Sequence, residues 1–147
     1  MSTSKSLSKE KEAINILLKK PGYMVLTKQQ KQSLVVAFAR KGKIVHKKAF
    51  DLIRISGKVD FSDEKDIMKN QKNITFIELK STDSSKNSKF SGHYFGLTVN
   101  QMSMGQTFKD QYRFIFLDIK NNNILEMGLK GVYSRMKMNL VGHCTLD

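Results

Sequence analysis

Glu78 and Lys80 stand one residue apart in the stretch NITFIELKST, residues 73–82. The surrounding residues favour a strand, whose side chains alternate faces. Ile74, Phe76, Glu78 and Lys80 therefore share one side, while Thr75, Ile77 and Leu79 take the other. Ile74 and Phe76 are apolar enough to be core, so the charged pair falls where a buried face runs out. As a bare ion pair it contributes little if exposed and is costly if buried. A second acid, Asp51, sits between Phe50 and Leu52 in AFDLIRI, residues 49–55, where an unpaired carboxylate is expensive. If the two strands pair antiparallel, the start of the first lies beside the end of the second, and Asp51 approaches Glu78 and Lys80. Two carboxylates and a main-chain carbonyl then make a hard oxygen site suited to Mg²⁺ or Mn²⁺. A lysine beside it can orient or deprotonate an attacking water, or neutralise charge on a phosphate.

The elements that must position these groups follow from pattern. A polar, frayed start, MSTSKSLSKEK, leads into a helix with Ile14, Leu17 and Leu18 at helical spacing, stopped by Pro21-Gly22. A second helix begins at Thr27, with Gln30 completing a capping box, and ends before Gly42. Leu34, Val35, Phe38 and Ala39 form its buried face, and Lys28, Lys31 and Arg40 stay wet. Residues 58–72 read as a long charged loop with a helical turn. STDSSKNSKFSG, residues 81–92, is low-complexity and the best candidate for a mobile loop. A short strand in HYFGLT, a helix opened by a Thr98–Gln101 capping box, and a hairpin of QYRFIFLDI with ILEMGL complete the order. The tail, residues 130–147, has no decisive pattern. The expected class is α/β (α+β): a mixed central sheet flanked by helices in a single domain.

The chain has 147 residues, room for one domain with one core. No apolar run is long enough to span a bilayer, and the start has no charged-then-apolar pattern like a signal peptide, so no membrane role is expected. A lone cysteine, Cys144, forms no internal disulfide and no Cys-rich zinc module, which fits a reducing cytoplasm. The 26 Lys and Arg outnumber the 13 Asp and Glu, for a formal net charge of +13. Residues 1–48 hold 12 of those bases and only Glu10 and Glu12 as acids. Such a field attracts polyanions, nucleic acid first among them, although a lysine-rich proteome would produce a similar surface.

With FDLIRI as a first motif and IELK as a second, the sequence resembles the PD-(D/E)xK, or restriction-endonuclease-like, nuclease superfamily. YFGLTVNQ, the helix after it and YRFIFLDI resemble the strand–helix–strand that follows the catalytic strand in several of its families, and the resemblance covers roughly residues 27–119. It implies a basic N-terminal helical segment, residues 1–26, ahead of a catalytic domain, residues 27–147, in one compact unit. It implies Asp51, Glu78 and the Leu79 carbonyl as metal ligands, Lys80 as the catalytic lysine, and Mg²⁺, with Mn²⁺ able to substitute. The implied reaction is hydrolysis of a phosphodiester in double-stranded DNA, by a homo-oligomer if both strands are cut symmetrically. Phe50 stands where many members carry proline, and Asp60 in KVDF is a rival for the first motif. The second helix offers Gln29, Gln30 and Gln32 where many members carry a glutamate.

Outside the motif, Gln101 either caps its helix or supports the metal site. Lys28, Lys31, Lys47, Lys48, Lys86 and Lys89 are candidates for the DNA backbone, and His93, after the Ser-rich loop, is the histidine placed to touch DNA. His46, His93 and His143 lack ligand spacing relative to one another. Two other classes of function fit the same sequence. One is a non-catalytic basic nucleic-acid-binding module; the other is an inactive structural subunit that keeps the nuclease fold.

Overall fold

The structure, a computed structural model, describes residues 4–138 and 143–147. Five strands form the main sheet: β1 (Tyr23–Met24), β2 (Leu52–Ile55), β3 (Ile74–Thr82), β5 (Tyr112–Asp118) and β6 (Ile124–Gly128), side by side in that order. β2 lies antiparallel to β3, β3 parallel to β5, and β5 antiparallel to β6, so the sheet is mixed. A smaller sheet sets β4 (Tyr94–Gly96) beside β8 (His143–Leu146) and β7 (Met136–Met138).

The alternation along β3 divides the core in two. Ile77 and Leu79 join Leu52, Ile115 and Leu117 under α1 (Ser4–Leu18), which contributes Ala13 and Leu17. Ile74 and Phe76 face the larger cluster, built with α2 (Lys28–Ala39), α3 (Glu64–Lys69), α4 (Val99–Phe108) and α5 (Leu129–Arg135). There the rings of Phe38, Phe50, Phe76 and Phe108 meet edge-on or tilted, with centroids 4.7–5.7 Å apart. α1 packs on the same sheet as the rest of the chain, and among the described residues no helix is long and apolar enough to cross a membrane.

Both capping boxes form. Thr27 and Gln30 open α2, Thr98 and Gln101 open α4, and Gly42 adopts φ +76° just past α2. The hairpin of β5 and β6 forms as the alternation predicts. Several expectations need correction. α1 starts at Ser4, so most of the stretch read as frayed is helical. Ala37, not Ala39, completes the buried face of α2. The helical turn expected in the charged loop is present but extends to the six residues of α3, capped by Asp63 and anchored by buried Ile67. The Ser-rich loop is tied down rather than loose: Phe90 is fully buried, and Ser85 is fixed by Asp118. The undecided tail supplies α5 and two strands of the smaller sheet, with Cys144 buried opposite Phe95.

One close approach sets the seat of α4. A Cβ on Gly105 would lie 2.6 Å from the Leu129 side chain, so α4 meets the start of α5 at a distance only glycine allows.

Candidate active site

Antiparallel pairing of β2 with β3 puts Leu52 beside Ile77, which carries Asp51, at a bend just before β2, to the far end of β3. The Asp51 amide donates to the Ile77 carbonyl at 2.8 Å, and the Asp51 carboxylate accepts from the Leu79 amide at 2.7 Å. That anchorage brings the Asp51 carboxylate within hydrogen-bonding reach of Glu78. Glu78 is only 7% exposed. Burial, reinforced by the Asp51 charge, pushes its carboxyl far above the ordinary range, and Lys80 only partly opposes the shift.

Lys80 is held three ways. Its Nζ lies 3.1 Å from Glu78 Oε2 and donates to the Gly96 carbonyl at 2.6 Å and to Gln101 Oε1 at 3.2 Å. Gln101 closes the ring by donating its Nε2 to Glu78 Oε2 at 2.7 Å, while its Oε1 also accepts from the Thr98 amide. Capping and site support are thus one arrangement: the capping box holds Gln101 at the start of α4, and its amide spans Glu78 and Lys80.

The sequence pattern places Lys31 in solvent, and the structure moves it inward. Its ammonium lies 4.6 Å from the Phe50 ring centroid and donates to the carbonyls of Lys47, at 3.1 Å, and Phe50, at 3.5 Å. Burial lowers its pKa, and the charges of Asp51 and Glu78 pull it back up. The α2 residue facing the carboxylates is therefore a cation, whereas Gln29 and Gln32 stay exposed and Gln30 caps the helix. Tyr112, not singled out from sequence, donates its hydroxyl to the Ala49 carbonyl at 2.6 Å. Burial raises its pKa well above the ordinary range, and the nearby charges of Glu78 and Asp51 add to the shift. Lys31 and Tyr112 brace the turn that presents Asp51. Their only sequence signals are a lysine one turn into a helix and a tyrosine opening a strand.

Asp60 is exposed and accepts from the Ser62 amide in the turn before α3. Glu10 and Glu12 point to solvent on α1. Lys28, Lys47, Lys48, Lys86 and Lys89 are exposed, and Lys47 pairs with Gln32. His93 is half-buried, edge-on to Phe90 and Phe116 and stacked on Phe95. Burial, with Lys80 nearby, pushes its pKa down. The His143 side chain lies outside the described residues.

Among the described residues, no three His, Cys, Asp or Glu side chains converge as a metal site. The donor set is two neighbouring carboxylates and adjacent main chain, and Mg²⁺ characteristically takes one or two carboxylates and keeps several waters. The mutual repulsion of Asp51 and Glu78 is what a divalent cation would relieve. Comparison with protein-family models, curated proteins and solved structures finds no match for this chain.

Proposed function

We propose that the chain is a divalent-metal-dependent endodeoxyribonuclease of the restriction-endonuclease-like, PD-(D/E)xK kind. One observation carries the reading: Asp51 takes the Leu79 amide with its carboxylate and so stands beside Glu78, whose Oε2 meets the Lys80 ammonium at 3.1 Å. The mixed sheet, with a helix between parallel β3 and β5, supports it as the arrangement the resemblance implies. Asp51 and Glu78 would hold Mg²⁺, with the Leu79 carbonyl as a third donor and Mn²⁺ able to substitute. The ion would supply a positive charge that polarises a phosphoryl oxygen and acidifies water. Gln101 orients both Glu78 and Lys80, and Lys80 positions the water or neutralises the phosphate. Lys31 braces the Asp51 turn and adds positive charge near the two carboxylates. The substrate would be double-stranded DNA. One such site cuts one strand, so symmetrical duplex cleavage requires two copies of the chain.

A plasmid-nicking assay tests the reading. Cleavage is expected with Mg²⁺ and none with EDTA; metal-independent or absent nicking by the wild-type chain would overturn it. The small donor set favours one second reading, a basic nucleic-acid-binding module without a metal. It predicts binding that ignores Mg²⁺ as a specific ligand and weakens steeply with salt.

A further inference from the structure

Beyond Lys80, β3 runs into a polar cleft of about 330 Å³ that the site just described does not use. Its lining includes the hydroxyl residues Ser81, Ser84 and Ser91, the amines of Lys9 and Lys86, and His93. Ser81 directly follows Lys80 on β3, so its side chain turns to the other face of the sheet and the cleft opens at the strand's end beside Lys80. His93 bridges the two places, since its ring meets Phe116 at 5.6 Å and Phe116 pairs with Lys80 across the sheet.

The cleft is preformed. Asp118, fully buried at the end of β5, accepts from the Ser85 amide and hydroxyl as well as from the Lys120 and Asn121 amides. Asn87 Oδ1 accepts from the amides of Lys89 and Ser91 and closes the next turn. Phe90 holds φ +57°, strained for a bulky side chain, in order to bury its ring beside Phe116. The Gly92 amide donates to the Leu146 carbonyl at 2.7 Å, and the Leu146 amide to the His93 carbonyl at 3.1 Å. The Lys86 ammonium comes within 3.8 Å of where a Gly92 Cβ would stand, so it is folded over the cleft. The one acid in the lining, Asp83, is 3.1 Å from Lys9 Nζ and is neutralised there. A serine-lined hollow with ammonium groups at its rim, held by a buried carboxylate and a strained phenylalanine, is preorganised for a small oxyanion.

We infer that this cleft binds a phosphate group of the nucleic-acid strand, next to the site at Lys80. The inference rests on the nuclease reading for the strand it belongs to and on the cleft alone for its ligand. Lys86 supplies the charge-assisted contact, the serine hydroxyls supply hydrogen bonds, and His93 forms the wall toward Lys80.

The test is fluorescence anisotropy with the full chain and a labelled DNA duplex in EDTA, so that cleavage plays no part. A series of duplexes carries one neutral methylphosphonate at successive positions. For the wild type, one position is expected to cost about tenfold in affinity, the scale of one hydrogen bond to a charged group. Lys86→Met should lose the same factor on the unmodified duplex and be indifferent to the methylphosphonate at that position. Asp83→Asn, which removes the negative charge beside the cleft, should bind a few-fold more tightly. Duplexes with 5′-phosphate or 5′-hydroxyl ends separate a terminal phosphate from an internal one. Unchanged affinity of Lys86→Met, or additive losses at every position, would overturn the cleft assignment. Cleavage with Mg²⁺ is scored separately. A wild type that never cleaves while the coupling to Lys86 persists sinks the nuclease reading and leaves the cleft standing. Normal cleavage without that coupling does the reverse.

Discussion

Two glutamates sit on opposite faces of one sheet, each among basic side chains, and they are treated in opposite ways. Glu126 on β6 shares the α1 face with Arg54 and Arg113. Arg54 reaches from β2 across two strands to grip both Glu126 oxygens, at 2.6 and 2.9 Å, and Arg113 Nε adds a third hydrogen bond at 2.9 Å. The Arg54 hydrogen bonds, with help from Arg113, hold its carboxyl below the ordinary range despite partial burial. Glu78 is more deeply buried, receives one ammonium and one amide, and has a second carboxylate pressed against it. The first glutamate is satisfied by the fold. The second is left wanting positive charge, as perturbed groups at functional sites often are.

Substitution at the two glutamates should separate these roles most sharply. Glu78→Gln keeps the shape and removes the carboxyl group that a bound cation would ionise, so Mg²⁺-dependent cleavage should fall by orders of magnitude while DNA binding and thermal stability are kept or raised. Glu126→Gln should leave cleavage close to wild type and cost about 1 to 2 kcal/mol, below the fully buried case because the carboxylate is partly exposed. Plasmid nicking and urea denaturation of both variants measure the contrast, and an active Glu78→Gln would falsify the catalytic assignment. The same assay divides the two aspartates: Asp51→Asn should abolish cleavage, whereas Asp60→Asn, which gives up only a turn hydrogen bond, should not.

Next in size is Lys31→Met. Losing the brace on the Asp51 turn should reduce kcat about tenfold, on the scale of a misplaced catalytic group, and Lys31→Arg should restore part of it. Lys28→Met, on the exposed turn before it, should leave kcat unchanged. Equal kinetic effects of the two methionine variants would return Lys31 to the surface class.

The glutamates should also tilt stability against pH in opposite senses. The folded chain holds the Glu78 proton more tightly than the unfolded chain does. Its contribution is complete below the ordinary value of 4.5 and lost as pH climbs towards about 9. Glu126 has a depressed folded pKa, so its contribution is present above the ordinary glutamate range and lost as pH falls. Melting temperatures of Glu78→Gln should therefore decline less than wild type on the alkaline side, and those of Glu126→Gln less on the acid side. Added Mg²⁺ should flatten the wild-type alkaline decline, and no flattening would count against metal binding by this pair. The smallest effects belong to the surface lysines. Reversing Lys28, Lys47 and Lys48 to glutamate should weaken binding to all DNA sequences alike and lower the salt slope by about one for each phosphate no longer neutralised.

What is legible in the sequence is local or periodic. Thr27–Gln30 and Thr98–Gln101 announce helix starts because each box closes within one turn. Ile74 and Phe76 against Ile77 and Leu79 assign the two faces of β3, because strand period leaves no other choice. The meeting of Asp51 with Glu78 needs only one further assumption, antiparallel pairing, and that pairing is found. Lys31 escapes the pattern because its burial is set by Phe50 and the turn folding back on α2, 16 and 19 residues away. The Ser-rich loop reads as loose because its anchor, Asp118, lies 33 residues from Ser85 and reads from sequence as the end of a strand. Of the smaller sheet only β4 shows in the sequence, as the short strand in HYFGLT; β7 and β8 have three and four residues, too few to show a period.

The missing side chain at Gly105 bears on how much change the chain can absorb. Gln101 lies one helical turn before it on α4, so the helix behaves as a short beam, with its fulcrum at Leu129 and its working tip against Glu78. A single methyl at position 105 would pry the beam outward and lift the Gln101 amide from both Glu78 and Lys80, without touching either. Any lineage that enlarges this residue must shrink Leu129 in the same step or lose the tip. Positions 105 and 129 are therefore expected to vary together, as a paired lock distant from the carboxylates it keeps in alignment.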